Sequence, residues 1–189
     1  MAAPRYENLK EIILDAAEEM LKEKNAAEIS LAQIAEKAGV SKGTLYYYYK
    51  NKNLIFFDIT DRYLSRQWEE LISWTEDKSK DTSPHRLIKY IMERDIAGSA
   101  LRIHLLDAAL SGDEEIRTKL IERYSEFKAL ISQKIFERTD KVSADYLTWI
   151  LLLTCDGIVV QNSLCNTEFD SSAFIEQSAQ YIKQMEEMQ

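Results

Sequence analysis

The chain has 189 residues, a net charge of −8, five glycines and two prolines. Few helix breakers, abundant Ala, Leu, Ile, Glu and Lys, and no alternating run of Val, Ile and Thr predict an all-α protein long enough for a small domain and a larger one, or for one extended helical body. The first residues, Met1 to Asn8, lack an apolar signal region, and the most apolar run, Tyr146 to Val160, contains Asp156 and is short for a bilayer, so a cytoplasmic protein with no membrane partner is expected.

The first helix is expected from about Tyr6 to Lys24, where Leu9, Ile12, Ile13, Ala16, Ala17, Met20 and Leu21 form a stripe at helical spacing. Ser30 followed by Gln33 is a capping box, which starts a second helix at Leu31. Leu31, Ile34, Ala35 and Ala38 share one face of it, and Gly39 stops it by accepting a left-handed backbone. Ser41 caps a third, short helix. At about 100° per residue, Leu45 and Tyr49 anchor that helix, Gly43, Thr44 and Tyr47 point away, and Tyr46 and Tyr48 flank them.

Residues 30–49 therefore have the organisation of a DNA-reading helix-turn-helix. Gly43 costs about 1 kcal/mol relative to alanine inside a helix, and close approach to DNA would explain it. Thr44 offers a hydroxyl and a methyl to a base edge, while tyrosine hydroxyls, Ser41 and helix-terminal amides suit phosphates. Four successive tyrosines sweep all round a helix, so they cannot all be buried. From Ser30 to Lys52 there are four lysines and one acid, whereas from Asn53 onward 16 basic residues face 24 acidic ones. An acidic body with a basic tip leaves the tip as the favoured docking surface for double-stranded operator DNA.

The run Ala38-Gly39-Val40-Ser41-Lys42-Gly43-Thr44-Leu45-Tyr46-Tyr47, followed by Tyr48-Tyr49-Lys50-Asn51-Lys52, resembles the N-terminal signature of the TetR family of bacterial regulators. The resemblance covers residues 7 to about 67 and implies DNA contacts from Ser30, Ser41, Gly43, Thr44, Tyr46, Tyr47 and Tyr48, with a phosphate contact from Lys52. Lys42 is added to the DNA-binding set because its charge lies on the same face as the exposed tyrosines. Tyr48 and Tyr49 stand where the family often has His-Phe, and Asn53-Leu54 where an acidic pair is common. The implied architecture is a DNA-binding domain, residues 1–52, followed by a helical ligand-binding and dimerisation domain, residues 53–189.

A long fourth helix is expected from the Asn51 cap to about Thr75, serving as a lever between the two parts, then a polar loop over residues 76–83. Pro84 starts a helix that runs to about Ala97 and breaks at Gly98-Ser99. Further helices are expected over Leu101–Leu110, Glu114–Arg138, Ser143–Asn166 and Ser171–Met188. The first of the last two is apolar nearly all round, the second carries the stripe Phe174, Ser178, Tyr181, Ile182, Met185, and the resemblance implies a homodimer with these two helices as its interface.

Aromatic or polar side chains interrupt apolar faces at Trp68, Tyr90, Arg94, His104, Tyr124, Trp149 and Asp156, the candidate contacts for an unidentified small-molecule effector. Arg94 suits an acidic ligand and Asp156 a cationic one. Cys155 and Cys165 have no metal or redox spacing and are expected as free buried thiols, and His104 with Asp107 makes a poor metal site. With no phosphate loop and no nucleophile constellation, neither an enzyme nor a cofactor is expected. The expected function is a dimeric transcriptional repressor released from its operator by a small molecule. The competing reading is a helical adaptor using its N-terminal element for protein contacts; exposed lysines and hydroxyls in place of aliphatic residues argue against it.

Overall fold

Ser30 opens a helix because its hydroxyl accepts the Gln33 N–H at 3.3 Å while Gln33 Oε1 accepts the Ser30 N–H at 2.9 Å. Two donors that the helix cannot satisfy internally are thus met. This is a computed structural model, and it describes residues 8–95, 99–140 and 143–187. Among the described residues the chain is all-α, with no strand: α1 (Leu9–Leu21), α2 (Leu31–Lys37), α3 (Lys42–Tyr48), α4 (Lys52–Glu76), α5 (Pro84–Asp95), α6 (Ser99–Leu110), α7 (Glu114–Phe136), α8 (Ala144–Ser163) and α9 (Ser171–Glu187).

Most expected elements stand within a few residues of their bounds. The first helix stops at Leu21, and a 3₁₀ turn that was not expected, Ala26–Glu28, follows with its own Asn25–Glu28 capping box. The expected positions Tyr6, Ala97, Gly98 and Met188 lie outside the described residues. Gly39 has φ +66°, the left-handed turn that ends α2 and lets Val40 N–H reach Ala35 O at 3.0 Å.

The chain divides into two compact units, each assembled from two stretches. One comprises the residues up to Leu64 together with His104–Arg117; the other comprises Ser65–Ile103 and Thr118–Gln189. The division differs from the boundary expected at residue 52: it falls inside α4 and returns the α6–α7 corner to the first unit. The reason is visible in the burial pattern, since Leu54, Ile55, Phe56 and Phe57 are all buried at the start of α4, as are Leu105, Ala109 and Ile116. Within this unit Arg62 binds Glu11 at 2.9 Å, Asp15 at 2.8 Å and also Glu18, stapling α1 to α4.

The second unit has its own core of Leu71, Leu87, Ile88, Met92, Ile131, Ile135, Leu151, Leu152, Cys155, Ile158 and Ile175. In α8 the inward face is Thr148, Leu151, Leu152, Cys155, Ile158 and Val159. Its opposite face leaves Tyr146, Ile150, Leu153, Val160 and Leu164 exposed. At 20 residues α8 is long and apolar enough to cross a membrane by length and composition alone, contrary to the expectation from the shorter run. The excess length comes from helix beyond that run at both ends, and its apolarity from having a core-facing side and a second apolar side. Cys155 is buried as expected, but Cys165 is exposed, because it sits just past α8 with φ 50° as the chain turns away.

Candidate nucleic-acid interface

The face of α3 that the sequence assigns to DNA is open. Leu45 and Tyr49 are buried, whereas Tyr46 is 56% and Tyr47 85% exposed. Tyr48 is half-buried and meets Tyr47 edge-on, ring centroids 5.3 Å apart, which holds the outermost ring from one side. A Cβ built on Gly43 would meet only Ser41 Oγ, at 3.8 Å, so nothing inside the chain requires a glycine there. Lys42 and Lys50 are exposed at the two ends of the helix.

Hydroxyl groups on this face have specific occupations. Ser41 Oγ accepts the Thr44 N–H at 3.0 Å and lies 2.8 Å from Thr44 Oγ1, so the two hydroxyls use one hydrogen between them and keep one to spare. Ser30 differs, because its hydroxyl donates to Gln33 Oε1 at 2.9 Å while accepting from Gln33 N. Its single hydrogen is committed to the cap, and a phosphate, which only accepts, could be bound only by giving that bond up.

Lys52 departs furthest from its expected role. Its Nζ donates to Ala26 O at 2.9 Å, Ala27 O at 3.0 Å and Ile29 O at 3.0 Å. All three ammonium hydrogens are taken by carbonyls around the 3₁₀ turn, so the side chain ties α4 to the approach of α2 instead of reaching for a phosphate. The sequence carried no signal for this, because the turn that supplies the carbonyls was itself unexpected. Tyr49, one of the departures from the family pattern, has found a partner: its hydroxyl donates to Asp58 at 2.8 Å, and Lys10 pairs with the same carboxylate at 2.7 Å. Burial first, then the Asp58 carboxylate, push the Tyr49 hydroxyl well above its ordinary pKa.

The expected effector contacts fall in both units. His104 belongs to the first unit, where its Nε2 lies 3.1 Å from Asn53 Oδ1. Asn53 Nδ2 donates to Asp113 at 3.1 Å, so Asn53 turns its oxygen to His104 and the imidazole Nε2–H is the donor. Burial and then the Lys52 charge hold His104 below its ordinary pKa, with Asp107 opposing. Trp149 is 43% exposed, with Lys128 Nζ 5.7 Å from its ring centre, so it lies on an outer face of the body.

The second unit brings the remaining residues together in three groups. Asp156 Oδ1 accepts from Arg102 at 2.6 Å and from Tyr124 OH at 2.7 Å, half-buried in the apolar middle of α8. Burial raises the Tyr124 hydroxyl to about 12. Trp68 packs edge-on against Phe127 at 5.1 Å, and Tyr90 stacks on Trp74 at 4.4 Å with the Arg94 guanidinium 3.5 Å above its other face. Arg102, the charge partner of Asp156, was not anticipated; nothing in its spacing links it to residues so distant in sequence. Among the described residues no group of three or more His, Cys, Asp or Glu could hold a metal.

On α9, Phe174, Tyr181 and Met185 are exposed as the stripe requires, and Ser178 donates to Phe174 O at 2.8 Å. Ile182 instead packs against the body's own core, one position round the helix from Tyr181. The outer face of α8 is open as well: Gly157 is exposed in line with Ile150, Leu153, Val160 and Leu164, and a Cβ built there would meet no neighbouring element.

Residues 13–59 match the family model of bacterial regulatory proteins of the tetR family. YdeS, an uncharacterized HTH-type transcriptional regulator of Bacillus subtilis, is 30% identical over 138 residues, 70% of this chain and 67% of its own. The fold is similar to that of FadR from Bacillus halodurans, a fatty acid degradation regulator, with TM-score 0.65 and 18% identity, covering 95% of each chain. It is also similar to a transcriptional regulator from Saccharomonospora viridis solved in complex with choline, with TM-score 0.71 and 14% identity over 92% of this chain and 95% of that one.

Proposed function

This chain belongs to the TetR family of bacterial transcriptional regulators, and from that premise we propose that it is a dimeric repressor released from its operator by a small molecule. The observation that carries the DNA-binding part is the outer face of α3. Tyr47 is 85% exposed beside a glycine that no intramolecular contact requires, on a locally basic segment of an acidic chain. Two such helices, one per subunit, would enter successive major grooves of a pseudo-palindromic operator. Ser41, Thr44, Tyr46, Tyr47 and Tyr48 line the base and backbone contacts, with Lys42 and Lys50 supplying charge. The protein would act in the cytoplasm, where its DNA is.

Assembly as a homodimer is supported by the second apolar face of α8 together with Phe174, Tyr181 and Met185 of α9. Helices from two copies would bury these faces as a four-helix bundle, with Gly157 allowing the close approach. Effector control is supported by the half-buried Arg102–Tyr124–Asp156 cluster in a body larger than DNA binding requires. The choline held by one structural neighbour makes a small organic ligand a reasonable class to test first.

The deciding experiment selects DNA fragments bound by the purified protein and measures their affinity against salt. A palindromic consensus bound with a steep negative salt slope is expected, and release by metabolite pools identifies the effector class. Binding that shows no fragment preference and no salt dependence would favour the adaptor reading.

A further inference from the structure

We propose that Thr44 reads the C5 methyl of a thymine in each half-site through its own methyl group, and that its hydroxyl makes no base contact. This rests on the DNA-binding reading above and names the specificity of that same face. Thr44 lies in the first turn of α3, partly exposed, between Gly43 and the buried anchor Leu45. Its Oγ1 is turned back toward the start of the helix, 2.8 Å from Ser41 Oγ. Ser41 Oγ is itself pinned there, because it also accepts the Thr44 N–H at 3.0 Å. Two bonds between the same two residues therefore fix the rotamer of a β-branched side chain, which has few alternatives in a helix.

With the oxygen held at the cap, the methyl branch takes another staggered position. Gly43 beside it adds no side chain that could keep a base edge at a distance, and its missing Cβ would have met only Ser41 Oγ at 3.8 Å. The one hydroxyl hydrogen that the Ser41–Thr44 pair keeps to spare sits at the helix start, where it suits a backbone phosphate. A threonine methyl against a thymine methyl is an apolar contact that discriminates thymine from every base lacking the C5 group.

The test uses the intact protein and the operator fragment recovered by selection, with each half-site thymine replaced in turn by deoxyuridine, which removes only the methyl. One position per half-site is expected to lower affinity about four-fold, the size of one buried methyl, and about fifteen-fold when both half-sites are changed. Thr44→Val is expected to keep the preference for thymine over deoxyuridine, and Thr44→Ser to abolish it, with helical circular dichroism unchanged in both. The inference is overturned if no thymine position is sensitive, if the selected half-sites contain no thymine, or if Thr44→Ser remains as sensitive as the parent. A preference kept by Thr44→Ser and lost by Thr44→Val would assign the reading to the hydroxyl instead. A parent protein that enriches no fragment would overturn the DNA-binding reading itself and this inference with it.

Discussion

Lys52 Nζ and the Ile29 carbonyl are joined by a 3.0 Å hydrogen bond, one residue before the cap that starts α2. A lysine whose place in the family signature implies a phosphate contact is therefore a strut within the DNA-binding unit. Lys52→Met should lower the stability of that unit by about 2 kcal/mol, since hydrogen bonds to a charged group are lost and carbonyls are left unmet. The salt slope of operator binding, measured on the folded fraction, should stay as it is. Lys42→Ala with Lys50→Ala should lower the slope of the homodimer by about four units, two contacts at each half-site, and leave the melting temperature nearly unchanged. The opposite pattern would return the phosphate contact to Lys52.

The Tyr49 hydroxyl offers a test of how this chain tolerates its departure from the family pattern. Tyr49→Phe should cost about 1 kcal/mol in urea unfolding, the net value of one hydrogen bond. The loss is limited because Asp58 keeps its 2.7 Å contact with Lys10. A cost above about 3 kcal/mol would mean that the hydroxyl does more than bind Asp58.

His104 makes stability depend on pH with a definite sign. Its pKa is lowered from 6.5 on folding, so the unfolded chain binds the proton more tightly. The stabilisation is fully present above the unfolded value and is lost as pH falls through the folded one. Unfolding free energy should therefore decline from about pH 7 downward in the parent. His104→Gln, which can still donate to Asn53 Oδ1, should remove that part of the slope while carboxylate titration at lower pH persists. A variant with the parent's slope between pH 7 and 5.5 would rule His104 out as its source.

Leu153→Glu with Tyr181→Glu should give folded monomers in sedimentation, with operator affinity reduced because each half-site alone offers too few contacts. Ile182→Glu should instead unfold the body, since that side chain packs on its core. Gly157→Trp should separate subunits without lowering helicity, because apart from the local helix backbone nothing in its own chain lies within 4 Å of the added carbon. A dimer surviving both changes would place the interface on another surface.

Helix boundaries and the inner and outer faces of α3 were legible because each depends on neighbours within one or two turns. Ser30 with Gln33, Gly39, and the alternation of Leu45 and Tyr49 with Tyr46 and Tyr47 are local patterns. What the sequence concealed depends on residues far apart in the chain. Lys52 meets carbonyls more than twenty residues earlier, Arg102 meets Asp156, and Asn53 stands between His104 and Asp113. Periodicity also could not say that α8 has two apolar faces with different destinations, since a helix apolar all round yields no direction. Tyr181 and Ile182, adjacent on α9, were assigned to one stripe although one faces out and the other in.

The first unit is completed by residues 104–117, after an interval of chain that belongs elsewhere. During synthesis the DNA-reading helices emerge long before Asp113 can accept from Asn53 or Ile116 can be buried. The nascent head therefore waits for nearly forty further residues to leave the ribosome before its last pieces arrive. A regulator built this way finishes its DNA-binding unit only after Ser65–Ile103 of the second unit have been made, and before Thr118–Gln189 follow.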